Sequence, residues 1–153
     1  MSLRSKQQWL TDNKISVTVE ERGGTWEVCI YQEDRNNPNH FIELKQSINV
    51  KHHKYGKDCI YALVFPWDFK NGKRITMTVQ RVVYLAFKGD IPDKYDIDHI
   101  DGDSLNNLPS NLQAISRKQN LQKRQLSQKQ IAQNYRKVEK LSKNTEICDQ
   151  NIV

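Results

Sequence analysis

The sequence predicts an α+β fold, with a β-rich N-terminal half, a strand–loop–strand–helix unit and a C-terminal helix. Three observations carry this. Apolar and polar residues alternate at period two over residues 15–20 and 26–30, as half-buried strands require. The pattern changes at residues 80–87, where Val82, Val83, Leu85, Ala86 and Phe87 cannot share one strand face but suit a short buried helix. From Arg117 onward no Pro or Gly interrupts a run of strong helix formers.

In order along the chain, Ile15-Ser16-Val17-Thr18-Val19-Glu20 and Trp26-Glu27-Val28-Cys29-Ile30 flank Gly23-Gly24, which predicts a hairpin. Residues 34–39, with Pro38, read as a loop. Residues 41–44, 59–65 and 74–79 are further strand candidates, separated by the stretches 51–57 and 68–73. His52-His53, in the first of these basic stretches, reads as surface. The helix at 80–87 has Gly89 as its C-cap and Pro92 as its stop. Residues 95–112 are rich in Asp, Asn, Gly and Ser, which tolerate turns and bond to their own backbone. Leu112-Gln113-Ala114-Ile115 is expected to return beside Asp96–Ile97, with Ser116 as the N-cap of the next helix. Beyond it Ile131, Tyr135, Val138 and Leu141 recur at helical spacing, and residues 144–153 read as a frayed end. The expected organisation is a β-rich region over 1–79, a chemistry-bearing unit over 80–126 and a basic helix with its tail over 127–153.

At 153 residues the chain has the size of one domain with a small appendage, long enough to bury a core without disulfide staples. No stretch of 18 uncharged apolar residues offers a membrane span. The start, Met1-Ser2-Leu3-Arg4-Ser5, lacks the long apolar run of a secretory signal. Cys29, Cys59 and Cys148 are odd in number and too far apart for a CxxC pair, which argues against a disulfide framework or cysteine zinc site. A reducing, cytoplasmic setting in a bacterial or phage-infected cell is the expectation.

Net charge is +6, and its distribution is more informative than its sum. From Arg117 to Lys143 the bases are Arg117, Lys118, Lys123, Arg124, Lys129, Arg136, Lys137, Lys140 and Lys143, against Glu139 alone. Just upstream Asp90, Asp93, Asp96, Asp98, Asp101 and Asp103 crowd one short segment, opposed by Lys94. A basic surface points to a polyanion such as nucleic acid. An acidic cluster beside it fits a phosphate partner only if a cation intervenes. A calcium loop of the EF-hand type is disfavoured by spacing: after Asp96 and Asp98 the next acid is Asp101, and Gly102 comes one place late.

Asp98 and Asn120 offer hard oxygen ligands for Mg²⁺ or Mn²⁺. Two protein ligands leave most of the coordination sphere to water and a substrate phosphate, as metal-assisted phosphodiester hydrolysis needs. His99, on the other side of the strand from Asp98, can take a proton from the attacking water, its ordinary pKa of about 6.5 suiting a general base. Asn106 and Asn107 read as turn formers. Arg117, Lys118, Lys123 and Arg124 are expected on flanking DNA phosphates.

The run Asp98-His99-Ile100-Asp101-Gly102-Asp103, with Asn106-Asn107, Asn111-Leu112 and Asn120 at fixed spacing, resembles the HNH endonuclease family. Its phage and mobile-element branch is the nearest likeness, over about residues 79–124. The resemblance implies a ββα-metal fold in which two short strands and a helix surround one divalent cation. It implies Asp98 and Asn120 as metal ligands, His99 as general base and Asn111 as the residue that pins the loop carrying His99. The implied reaction is hydrolysis of double-stranded DNA, nicking or cutting both strands, to 5′-phosphate and 3′-hydroxyl ends. Gln80 stands where many relatives carry His, and Ala114-Ile115 where a Trp is frequent. A non-catalytic DNA-binding scaffold is the alternative reading, and a nuclease toxin domain a more distant one.

Overall fold

The computed structural model describes residues 2–52, 54, 56 and 58–125. The Ile131, Tyr135, Val138 and Leu141 stripe, the bases from Lys129 to Lys143 and residues 144–153 lie outside the described residues. The chain divides into two units, Met1–Ile115 and Ser116–Val153. Its secondary structure is mixed α+β.

A short helix α1 (Gln7–Asp12) leads into three antiparallel strands: β1 (Ile15–Arg22), β2 (Thr25–Asp34) and β3 (Asn37–Glu43), in the order β1-β2-β3. The expected hairpin is present. Arg22 pairs with Thr25, and Gly23 and Gly24 take φ of 60° and 85° between them. Two positive φ values in a two-residue turn match the twist of the flanking strands, and glycine reaches them without strain.

The loop expected over residues 34–39 is shorter than its composition implied. Asp34 already pairs with Asn37, so the chain turns within Arg35-Asn36 and Pro38 lies in β3. Proline is tolerated because β3 is the sheet's edge, and a bulge at Glu33/Asp34 absorbs the irregularity.

Next come β4 (Ser47–Lys51), β5 (Cys59–Val64), β6 (Trp67–Asp68), β7 (Lys73–Arg74) and β8 (Met77–Thr78). β4, β5 and β8 form one sheet in that order, while β6 and β7 pair as a small hairpin. The strand expected over residues 74–79 is therefore split between two sheets, and Val79 opens the helix α2 (Val79–Lys88). Ile75, Met77 and Val79 are all buried, so an extended chain crossing the core shows the alternation of one strand. Neither α1 nor β4 is marked by a strong sequence period.

One apolar core joins these parts, containing Leu10, Ile15, Ile30, Val64, Val82, Leu85 and Leu112. Helix α2 is its axle, burying Val79, Val82, Val83 and Leu85 at helical spacing. Each such side chain contributes about 1.5–3 kcal/mol on burial. Gln32, buried on β2, donates through Nε2 to the carbonyls of Asn13 (2.9 Å) and Trp67 (2.7 Å) and accepts from the Trp67 N–H at 2.8 Å. A polar group can occupy the core at low cost when every hydrogen-bonding atom is engaged like this.

After α2 the chain turns at Gly89 (φ 105°) and buries Ile91 before β9 (Tyr95–His99) and β10 (Leu112–Ser116), which pair as expected. Lys88 Nζ donates to the Leu112 carbonyl at 2.5 Å, tying the last turn of α2 to the start of β10. Residues 117–125 are helical (α3). Ser116 caps α3 reciprocally with Gln119: Ser116 Oγ accepts from the Gln119 N–H at 3.2 Å, and Gln119 Oε1 from the Ser116 N–H at 3.1 Å.

Candidate active site

The connection between β9 and β10, residues 100–111, is long for a strand-to-strand link and carries most of the polar residues of interest. It is held by side chains rather than by a core. Asp101 Oδ1 accepts from the Asp103 N–H at 2.8 Å and from Asn111 Nδ2 at 2.9 Å. Its Oδ2 accepts from Asn106 Nδ2 at 2.8 Å. Asn111, buried at the head of β10, returns the bond: its Oδ1 accepts from the Asp101 N–H at 3.0 Å, and its Nδ2 also donates to the Asn106 carbonyl at 2.9 Å. The Ile100 N–H donates to the Asn111 carbonyl at 2.8 Å, closing the loop at its base.

These donors hold the Asp101 carboxyl below its ordinary pKa, the Asn106 amide contributing most, then the Asp103 N–H and the Asn111 amide. Gly102 completes the clasp. It sits at φ 79°, where a side chain would be strained, and its N–H donates to the His99 carbonyl at 2.9 Å.

His99 is the last residue of β9 and only 8% exposed. Its Nε2 lies 2.8 Å from Asn107 Oδ1. An amide oxygen only accepts, so Nε2 is the donor in this pair. Asn107, itself buried, is thus a positioning partner rather than the turn former its sequence context implied. A signal existed: a buried imidazole needs a partner, and the loop offers amides. Sequence cannot say which of two adjacent asparagines turns inward.

Asp98 precedes His99 on β9 and is half-buried. Alternation along the strand separates the two side chains onto opposite faces. Asp98 Oδ2 accepts from Gln113 Nε2, across the strand pair on β10, at 2.8 Å. Gln113 is therefore a second residue that sequence reasoning passed over. Asp98, His99 and Asn111 are all brought to the β9–β10 unit within Met1–Ile115. Asn120 belongs to α3 in the second unit and is half-buried; Arg117, Lys118 and Arg124 are exposed on the same helix, and Lys123 is half-buried. Gln80, at the first turn of α2, keeps a buried Oε1 with no hydrogen-bond partner among the described residues.

Among the described residues no cluster of three or more His, Cys, Asp or Glu could hold a metal ion. No described helix is long and apolar enough to cross a membrane.

Residues 78–122 match the model of the HNH endonuclease family. Over this segment, less than a third of the chain, the protein is similar to HNH endonucleases. The match spans α2, β9, the clasped loop, β10 and the first turns of α3, and so includes Asp98, His99, Asn107, Asn111 and Asn120. Lys123 and Arg124 fall just beyond it. No curated protein and no solved structure matches the chain. That likeness suggests nuclease activity.

Proposed function

We propose that the chain is a divalent-metal-dependent HNH endonuclease that hydrolyses phosphodiester bonds of double-stranded DNA. The observation that carries the reading is the buried His99, its Nε2 held 2.8 Å from Asn107 Oδ1 inside the HNH segment. With its ring held by Asn107, His99 is the general base toward water attacking phosphorus. Asn107 orients the ring, while Asn111 and Asp101 hold the loop from which Asn107 projects.

The donor set fits Mg²⁺ or Mn²⁺. Asp98 presents a carboxylate whose Oδ2 is oriented by Gln113, and Asn120 contributes an amide oxygen; both are hard ligands. When bound, one such ion would neutralise charge on the scissile phosphate and at the leaving 3′-oxygen. Arg117, Lys118, Lys123 and Arg124 neutralise flanking phosphates, giving affinity without sequence information. A cytoplasmic setting in a bacterial or phage-infected cell accompanies this reading.

The test is a supercoiled-plasmid assay with the purified chain. Nicked or linear product is expected with Mg²⁺ or Mn²⁺, none with EDTA, and none from a folded His99→Ala variant. Undiminished cleavage by His99→Ala would sink the assignment of the base. DNA binding without cleavage under any divalent ion would leave the motif as a non-catalytic DNA-binding scaffold.

A further inference from the structure

Exposed strand edges invite pairing with other chains, and proteins guard them with charge, proline or bulges. Two edges of this molecule are guarded so. β1 carries Glu20, Glu21 and Arg22, and β3 carries Pro38 beside the bulged ladder at Glu33/Asp34. β4 differs. It ends its sheet with no strand on its outer side among the described residues. Its sequence, Ser47-Ile48-Asn49-Val50-Lys51, has no proline and no charge before its last residue. Ile48 and Val50 point to one face and are 66% and 43% exposed, and Ile60, paired with Val50 on β5, is 42% exposed. The apolar surface runs on from Ile48 into a cleft of about 670 Å³ that Trp26, Ala62 and Leu105 also line.

We propose that β4 is a self-pairing edge, along which two copies of this chain join antiparallel about a two-fold axis at Asn49. The edge is complementary to itself, as a two-fold contact requires. Antiparallel pairing about Asn49 sets Ile48 of one copy opposite Val50 of the other. Because Val50 pairs with Ile60 and Ile48 with Ala62, it creates a continuous apolar row across four strands. Charge does not oppose the contact. Lys51 of each copy meets Ser47 of the other, and the two ammonium groups stay roughly 13 Å apart along the ladder. Residues 1–115 hold 15 basic and 15 acidic residues, so the units that meet carry no net repulsion. Five residues of ladder are a small interface, so association is expected to be on the order of micromolar and strengthened when both copies share one duplex.

The pairing has a consequence for catalysis that rests on the proposed nuclease reading. Ser104 Oγ donates to the Ile60 carbonyl, so the loop bearing Asp101 and Asn107 is braced on β5, the strand next to β4. Joining two β4 strands puts the two β5 strands three spacings apart, about 14 Å. Two loops braced on strands so placed would let the two copies address both strands of one duplex.

The experiment measures mass by sedimentation equilibrium of the full chain from 1 to about 200 μM, alone and with a short duplex, beside the plasmid assay. Wild type is expected to shift from 18.0 kDa toward twice that mass as concentration rises. Ile48→Lys and Val50→Glu should each stay monomeric while keeping wild-type circular dichroism. An equimolar mixture of the two variants should dimerise again, because each new charge then faces its opposite across the axis. If the wild type is active, Ile48→Lys should still nick plasmid but lose about tenfold in the ratio of linear to nicked product. A wild type that stays monomeric with and without DNA, or a mixture that fails to restore the dimer, overturns the proposal. The mass measurement is independent of cleavage, so loss of the nuclease reading alone leaves it standing.

Discussion

Residues 1–115 and residues 116–153 differ sharply in charge. The first region is electroneutral, with as many acidic as basic residues, and the whole net charge of +6 falls on the second. Neutral donors are among the partners of the acids at the site. Asp101 is satisfied by two amides and a backbone N–H, and Asp98 takes a bond from the Gln113 amide. Neutral donors hold a carboxylate in place without cancelling its charge. On the proposed reading the first region supplies the base His99 and the ligand Asp98, and the second supplies Asn120 and the bases that grip DNA.

The largest expected effect probes the chemical side of that division. His99→Ala should lower the cleavage rate by about 10²–10⁴-fold while DNA affinity stays within about twofold. Parallel losses in binding and cleavage would break the separation. Next in size, replacing Arg117, Lys118, Lys123 and Arg124 with Ala together should weaken duplex binding by roughly a hundredfold at moderate salt. It should also flatten the slope of log affinity against log salt from near −4 or −5 to near −1. An unchanged slope, read by fluorescence anisotropy, would move the grip elsewhere.

Asn107→Ala is expected to cost about tenfold to a hundredfold in rate through misorientation of the imidazole. Asn107→Asp sharpens the point, since a carboxylate beside Nε2 favours the imidazolium and raises the His99 pKa. The acidic limb of the pH–rate profile should then move to higher pH, and a limb that stays in place would mean Asn107 does not touch the base in solution. Asn111→Ala removes three bonds from a buried position and should cost about 2–3 kcal/mol in urea unfolding.

The smallest effect concerns acid. The folded pKa of Asp101 lies below its ordinary 3.8, so its contribution to stability is complete above that value and is lost as pH falls through the folded one. The loop should therefore loosen only in strong acid, followed by hydrogen exchange of the Asp103 N–H. Asp101→Asn should remove this dependence.

Much of the site was legible before any fold was known. The Asp98-His99 pair and the Asp/Asn loop follow from residue chemistry and spacing. So do the Gly23-Gly24 turn and the buried face of α2, while Asn111 as the clasp was implied by the family resemblance. Ser116 was legible as a cap, and the Ser-x-x-Gln spacing to Gln119 strengthens it. Asn107 was not, because adjacent asparagines look alike until the path of the loop decides which one meets the ring. Gln113 was hidden for the same reason: its partner Asp98 lies fifteen residues away, and only strand register brings them together. β4 was missed because Ile48 and Val50 are exposed, and an edge strand with little to bury writes a weak hydrophobic pattern.

What the sequence determined by itself was the chemistry on offer: acids, imidazole and amides at fixed spacing, then a run of bases. These are local properties, set by side-chain types and turn preferences. Only the tertiary structure decided which amide holds His99, how Asp101 and Asn111 lock the loop, and that β4 is an open edge among the described residues. Those depend on contacts between residues distant along the chain, where burial and hydrogen-bond geometry choose among neighbours of equal local merit.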